Sequence, residues 1–312
     1  MNLGFIVAGL VLLIFGGHWL LKASVAMSLR LNIPKIIIGM TVVSFATSAP
    51  ELIVSVKAAL DGHSDLALGN VVGSNIANLG LVLAITIILS KIDVEKSFYK
   101  TDWPIMMVAS GVLFYLLSVD QVIDFNEGAS MLIFLILFLI YLLKFQKKAV
   151  VDEGEGLDDE PMSIFKIVVY LILGGVGLWA GSEFLIEGAV NLAKDYGVSE
   201  RIIAVTVVSL GTSIPELAAS VIAVLKKEKA ISLGNLIGSN IFNILAVLGI
   251  TSMITPIELQ DIELLNYDIF WMLGISFLIF PLVFFPRKMR LDWKDGFILL
   301  ILYGIYLFTT LG

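Results

Sequence analysis

The sequence predicts an all-α polytopic membrane protein: ten transmembrane helices arranged as two inverted five-helix repeats. Three observations carry that prediction. The 312 residues are 58% hydrophobic and 15% charged, with a mean hydropathy of +0.98; soluble domains average about 25% charged residues. Ten stretches are long and apolar enough to span a bilayer, a span needing about 20 mostly apolar residues. One stretch occurs twice, 165 residues apart without a gap, with 21 of the 38 positions from 41 to 78 identical in the copy.

The first span, roughly 3–21, lacks a basic leader and a small-residue cleavage site, so it reads as a retained helix, not a signal peptide. Spans two and three, 36–60 and 66–89, hold the first copy of the duplicated stretch; 103–119 and 128–144 are plain apolar spans. Residues 146–162 form an acidic polar linker with Asp152, Glu153, Glu155, Asp158, Asp159 and Glu160. It lacks the glycine and ligand spacing of an EF-hand and reads as a solvated linker between the halves 1–145 and 163–312. The second half repeats the order with spans at 164–190, 201–225, 230–253, 267–285 and 295–311.

Basic residues set the orientation. One alternating set of connections holds 17 of the 20 lysines and arginines, leaving Lys57, Lys194 and Arg201 on the other side. The basic set is placed in the cytoplasm, which puts both termini outside a plasma or inner membrane. Five spans per half is odd, so the second repeat enters upside down. The loop charges agree: Lys22 is matched by Glu187, Lys35 by Glu200 and Asp61 by Lys226. Inverted repeats of this kind are a transporter architecture.

The duplicated stretch carries the chemistry. Ser44, Thr47, Ser48 and Glu51 fall at i, i+3, i+4 and i+7, one face of a helix. Ser209, Thr212, Ser213 and Glu216 repeat them. Pro50 removes the amide that would bond the carbonyl of Ala46, and Pro215 does the same to Gly211. Spans three and eight add Ser74 with Asn78 and Ser239 with Asn243. Gly69, Gly73, Gly234 and Gly238 read as helix-packing positions. Asn70, Asn75, Asn235 and Asn240 read as caps or cross-links, not ligands. Charged groups in hydrocarbon are costly unless they line an ion path. A site of carboxylates, hydroxyls, amide oxygens and freed carbonyls suits a hard cation such as Ca²⁺. Two carboxylates are neutralised by one Ca²⁺, by two monovalent cations or by two protons, so these ions compete. A duplicated structural bundle would leave the paired glutamates unexplained.

T-S-x-P-E in spans two and seven, with G-S-N-I-x-N in spans three and eight, resembles the cation/calcium exchanger superfamily, most closely its prokaryotic sodium/calcium exchangers. The resemblance covers nearly the whole chain. It implies the sodium/calcium exchanger fold and secondary-active antiport of Na⁺ for Ca²⁺ by alternating access, with spans one and six sliding past the core. It implies Ca²⁺ between Glu51 and Glu216; hydroxyl ligands from Thr47, Ser48, Thr212, Ser213, Ser74 and Ser239; and backbone carbonyls at Ser44 and Ser209. Ala46 stands where the family usually has glycine. Asn78 and Asn243 are both amides where potassium-dependent relatives rely on an acid, which argues against a K⁺ requirement.

A proton-coupled or potassium-dependent divalent-cation antiporter is the alternative. A channel is disfavoured by the inverted repeat and the proline breaks. With no P-loop, no HExxH, no GxSxG and only His18 and His63 as histidines, neither an ATP-driven pump nor a histidine-based enzyme is indicated. Zero cysteines exclude disulfides and thiolate sites. The expected partners are Ca²⁺, Na⁺ and the lipid bilayer, with no cofactor, nucleotide or nucleic acid, and a monomeric transport unit. His18 and Lys22 read as snorkelling residues; Trp103, Trp271 and Trp293 read as interface anchors.

Overall fold

A computed structural model describes residues 2–145, 162–196, 211–286 and 289–311. In chain order the helices are α1 Asn2–Leu31, α2 Lys35–Thr47, α3 Ala49–Leu60, α4 Ser64–Leu89, α5 Phe98–Val119, α6 Phe125–Phe145, α7 Ile164–Asp195, α8 Ile214–Leu225, α9 Lys229–Ile254, α10 Leu264–Phe284 and α11 Trp293–Leu311. Among the described residues, seven helices are long and apolar enough to cross a membrane, and the bent pair α2–α3 makes an eighth. The expected seventh span is represented by α8, since 201–210 lie outside the described residues, and the tenth by α11. The linker 146–161 also lies outside them.

Several helices outrun their apolar stretches. α1 continues through the polar Lys22–Arg30 segment, and α7 runs to Asp195. Both are laced with glycine where they cross. A β-carbon on Gly9 would fall 2.6 Å from the Leu185 amide nitrogen, and one on Gly16 2.7 Å from that of Leu178. Small residues let two backbones touch in a medium without hydrophobic drive between helices.

Burial sorts the layers. The apolar windows of α4 and α9 are 78% and 83% buried, against 22–33% for the other long spans, so these two form the centre. The halves interleave around them. α6 packs on α9 and α11 packs on α4, each through a glycine: Gly128 against the Gly249 carbonyl, and Gly296 against the Ala84 carbonyl.

Two short strand pairs prove the inversion. Strand β1 (Ile92–Asp93) follows α4 and pairs with β4 (Arg290–Leu291), which precedes α11. Strand β2 (Val122–Ile123) pairs with β3 (Ile257–Glu258). β1 and β2 sit at opposite ends of α5, and β3 and β4 at opposite ends of α10. Hydrogen bonding between β1 and β4 therefore places the later connection of one half beside the earlier connection of the other, which requires the halves to run in opposite senses.

Trp103 departs from the anchor reading. Its indole N–H donates to the Ser276 carbonyl at 2.8 Å, tying α5 to α10.

Candidate functional site: paired broken helices around two buried glutamates

Each duplicated stretch folds as a helix that stops and restarts. In the first, Ser48 leaves helical geometry at φ −87°, ψ 2°, and α3 starts at Ala49 with Pro50 in its first turn and a 44° bend from α2. In the second, Ser213 adopts φ −88°, ψ 1° before Pro215 and α8. Proline is tolerated in the first turn because the N–H groups there have no partner within the restarting helix; the carbonyl four residues back lies before the break. Glu51 and Glu216 then sit in the first turns of α3 and α8, where amide groups favour negative charge.

The two breaks meet on the central helices. Thr47 Oγ1 lies 3.3 Å from Ser239 Oγ on α9, and Thr212 Oγ1 lies 3.2 Å from Ser74 Oγ on α4. Each contact is the image of the other at the 165-residue offset. The Thr47, Ser48 and Ser239 hydroxyls neighbour the Glu216 carboxyl, and Glu51 and Glu216 are electrostatic neighbours of each other. Both glutamates, with Ser44, Thr47, Asn78, Ser239 and Asn243, have no exposed surface; Ser48, Ser74 and Ser213 are nearly as buried. Ser209 lies outside the described residues.

Hydrogen bonding separates lining from scaffold. Ser44 Oγ lies 2.9 Å from both the Gly39 and the Asn235 carbonyl oxygens and shares its one proton between them, so its hydroxyl binds α2 to α9. Asn70 Nδ2 donates to Ser55 Oγ at 3.0 Å, and Asn235 Nδ2 to Ser220 Oγ at 3.1 Å. These asparagines cross-link helices, as their sequence context suggests. By contrast, both carboxylate oxygens of Glu51 and of Glu216, the hydroxyls of Ser48 and Ser213, and Oδ1 of Asn78 and of Asn243 are buried without a hydrogen-bond partner. Every one has its twin at the same offset. Buried polar atoms are normally satisfied, so this symmetric set of unsatisfied oxygens is the candidate functional site. Among the described residues no three His, Cys, Asp or Glu side chains gather as a metal cluster; the two acids are joined instead by neutral oxygens.

Three features escaped the sequence reading. One π-helical turn begins at Asn78 and another at Asn243 (Asn78–Leu83 and Asn243–Leu248), a device common at functional sites; NLGLVL and NILAVL share Asn, Val and Leu at the first, fifth and sixth positions, but none of these residue types marks a π-turn by itself. The carbonyl of Gly211, freed by Pro215, accepts a 2.9 Å hydrogen bond from Ser182 Oγ on α7, so it is not left for the site. Gly17 occupies the matching place on α1 and has no hydroxyl to offer Ala46. The alanine at 46 is also accounted for. Its methyl faces Gly175, whose own β-carbon would sit 3.6 Å away, whereas a β-carbon on Gly211 would collide with Ile186.

An inverted-repeat membrane bundle with paired broken helices and two buried acids at their restarts defines a cation-transporter architecture. The chain belongs to the sodium/calcium exchanger protein family, whose model matches residues 1–144 and 166–312. It is 41% identical over 257 residues to the putative antiporter CaxA of Alkalimonas amylolytica, covering 81% of this chain and 80% of that one. It is 27% identical over 344 residues to the sodium/calcium exchanger MaX1 of Methanosarcina acetivorans, covering 98% and 97%. The inner membrane protein YrbG of Escherichia coli is 32% identical over 284 residues, covering 87% and 86%. The structure of this chain superposes on the sodium-calcium exchanger NCX_Mj, soaked with zero Na⁺ and Ca²⁺, with a TM-score of 0.83 at 28% identity, covering 97% of each chain. The chain is thus a multi-pass membrane protein of the prokaryotic branch of the cation/calcium exchangers.

Proposed function

We propose that this protein is a secondary-active antiporter that exchanges Na⁺ for Ca²⁺ across the cell membrane by alternating access. The carrying observation is the twinned set of unsatisfied oxygens on Glu51, Glu216, Ser48, Ser213, Asn78 and Asn243. All are hard donors, the preference of Ca²⁺ and Na⁺. In this reading Ca²⁺ sits between the two carboxylates. Thr47, Thr212, Ser74 and Ser239 add hydroxyls, and the chain at Ser44 and Ser209 adds carbonyl oxygens.

Exchange follows from charge. Two ionised carboxylates without a counter-ion are expensive to move through hydrocarbon. The loaded site crosses, with Ca²⁺ or with Na⁺, and the empty one does not. The moving part is the pair α1 and α7. They touch through glycine backbones, and open apolar clefts of about 760 Å³ and about 840 Å³ run beside them. The first cleft lies along α7 and reaches Ala46, Ala49 and Pro50; the second lies along α1 and α7 and reaches Ser213 and Ile214. Both halves, 1–145 and 163–312, contribute one glutamate each, with 146–162 as the cytoplasmic link and both termini outside. The Lys35–Glu228 ion pair, 2.9 Å long, joins two connections assigned to the same cytoplasmic side.

The test is radiolabelled Ca²⁺ uptake into Na⁺-loaded liposomes diluted into Na⁺-free buffer, with K⁺ and pH gradients as separate arms. Uptake that requires the Na⁺ gradient and is indifferent to K⁺ supports the reading. Uptake driven by a pH gradient without Na⁺, or dependent on K⁺, replaces it with the corresponding antiporter.

A further inference from the structure

We propose that Asn75 and Asn240 are positioning residues that lock the amides of Asn78 and Asn243 with their oxygens facing the cation; the proposal rests on the cation-site reading above. The four side chains form a closed set across the contact of α4 and α9. Asn75 Nδ2 donates to the Asn240 carbonyl at 3.2 Å and to Met272 Sδ at 3.7 Å. Asn240 Nδ2 donates to the Asn75 carbonyl at 3.4 Å and to Met106 Sδ at 3.8 Å. Asn75 Oδ1 accepts from Asn243 Nδ2, and Asn240 Oδ1 accepts from Asn78 Nδ2, both at 3.1 Å. All four asparagines are at most 1% exposed.

An asparagine amide has two N–H donors and one carbonyl oxygen. In Asn75 and Asn240 both donors are taken, one by the opposing main chain and one by a methionine sulfur. Turning either amide over would set its oxygen against a carbonyl oxygen and its NH₂ against the NH₂ of Asn243 or Asn78. The inner pair is therefore fixed, and it offers only an acceptor to the outer pair. Asn78 and Asn243 must answer with NH₂, which turns Oδ1 the other way, and both of those oxygens lack a partner. Without the inner asparagine, an outer amide is free to turn its N–H groups toward the cation. The geometry thus supplies the second layer of a metal site, whose outer partners typically govern affinity by about 10–100-fold.

The test is a double-mutant cycle on Ca²⁺ affinity, measured by radiolabelled Ca²⁺ binding to purified full-length protein. Asn75→Ala is expected to weaken binding by about 10-fold or more. In an Asn243→Ala background, where no oxygen remains to be positioned, it is expected to add less than about 2-fold, while in an Asn78→Ala background the two losses multiply. An Asn75→Ala effect of the same size with and without the Asn243 amide makes Asn75 a packing residue and overturns the proposal. No effect in the wild-type background overturns it too. If Asn75→Ala does not fold, Met272→Leu keeps the volume while removing one acceptor from Asn75; weakened binding supports the lock, and unchanged binding counts against it. Failure of the antiport reading shows separately. If Na⁺-driven uptake is absent but Ca²⁺ still binds wild type, the function falls and the cycle still decides the lock. If Ca²⁺ does not bind wild type, both fall.

Discussion

Ser182 Oγ on α7 donates to the carbonyl of Gly211 at 2.9 Å, the same carbonyl whose helical partner Pro215 removes. A long crossing helix thus satisfies the break in the second repeat, while Gly17 leaves the first break without this bond. Ser182→Ala leaves a buried carbonyl unsatisfied, a cost of about 1–3 kcal/mol, read as a lower melting temperature. In a Pro215→Ala background the restored amide competes for that carbonyl, so the same substitution is expected to cost less than half as much. Equal costs in both backgrounds would show that the hydroxyl does not replace the missing amide.

Glu51→Gln and Glu216→Gln are each expected to abolish Ca²⁺ uptake without unfolding the protein. The wild-type carboxylates are buried beside each other, so neutralising one removes a desolvation and repulsion cost, while a glutamine of the same size can still meet the hydroxyls around it. Wild type in Ca²⁺ at 100 times its dissociation constant gains about 2.7 kcal/mol from binding. The thermal shift that Ca²⁺ produces should vanish in both variants, while their melting temperatures without ions equal or exceed that of wild type. A variant that melts lower without ions would assign the glutamate a scaffolding role.

The α1–α7 contact is backbone against backbone. Gly16→Ala places a methyl group 2.7 Å from the Leu178 amide nitrogen and 2.8 Å from the Gly177 carbonyl carbon, so the helices must part. The expected loss is about 1–3 kcal/mol, with uptake slowed more than Ca²⁺ binding is weakened. Gly4→Ala is the control: its β-carbon meets nothing within 4 Å, and stability should hold. Equal behaviour of the two variants in thermal melts would refute the close-contact account.

Lys35 and Glu228 pair at 2.9 Å, with Glu228 only 3% exposed. Lys35→Met strands a buried carboxylate, expected to cost about 3 kcal/mol. Adding Glu228→Gln should recover most of that loss in the same chemical or thermal melt. A double variant no more stable than Lys35→Met would mean that the pair's charges are not what holds these connections together.

Much of this was legible in the residues. Composition declared the membrane, the 165-residue offset declared the repeat, and an odd span number with reversed loop charges declared its inversion. The strand pairing β1 with β4 then showed that inversion directly. Apolar length also located the helices, though not their ends: α1 runs through Lys22 and Arg30 because intrahelical bonding and contact with α7 outlast the hydrophobic stretch. The glutamates, prolines and hydroxyls were visible because polar groups stand out in an apolar run.

Partner choice is what the sequence did not contain. Nothing in the chain order says that α6 packs on α9 and α11 on α4, that Ser182 reaches Gly211, or that Ser44 spends its hydroxyl on two carbonyls. The sequence already set Asn75 and Asn240 apart as cross-links from Asn78 and Asn243; only the fold showed what they link, an inner pair that uses every donor and an outer pair left with a free oxygen. The sequence by itself determined which groups are polar within hydrocarbon and how often they recur, because that depends on residue type and spacing alone. Only the tertiary structure decided which of those groups are satisfied, because a hydrogen bond needs two atoms at a defined distance and angle, and here the second atom lies on another helix, often in the other half of the chain.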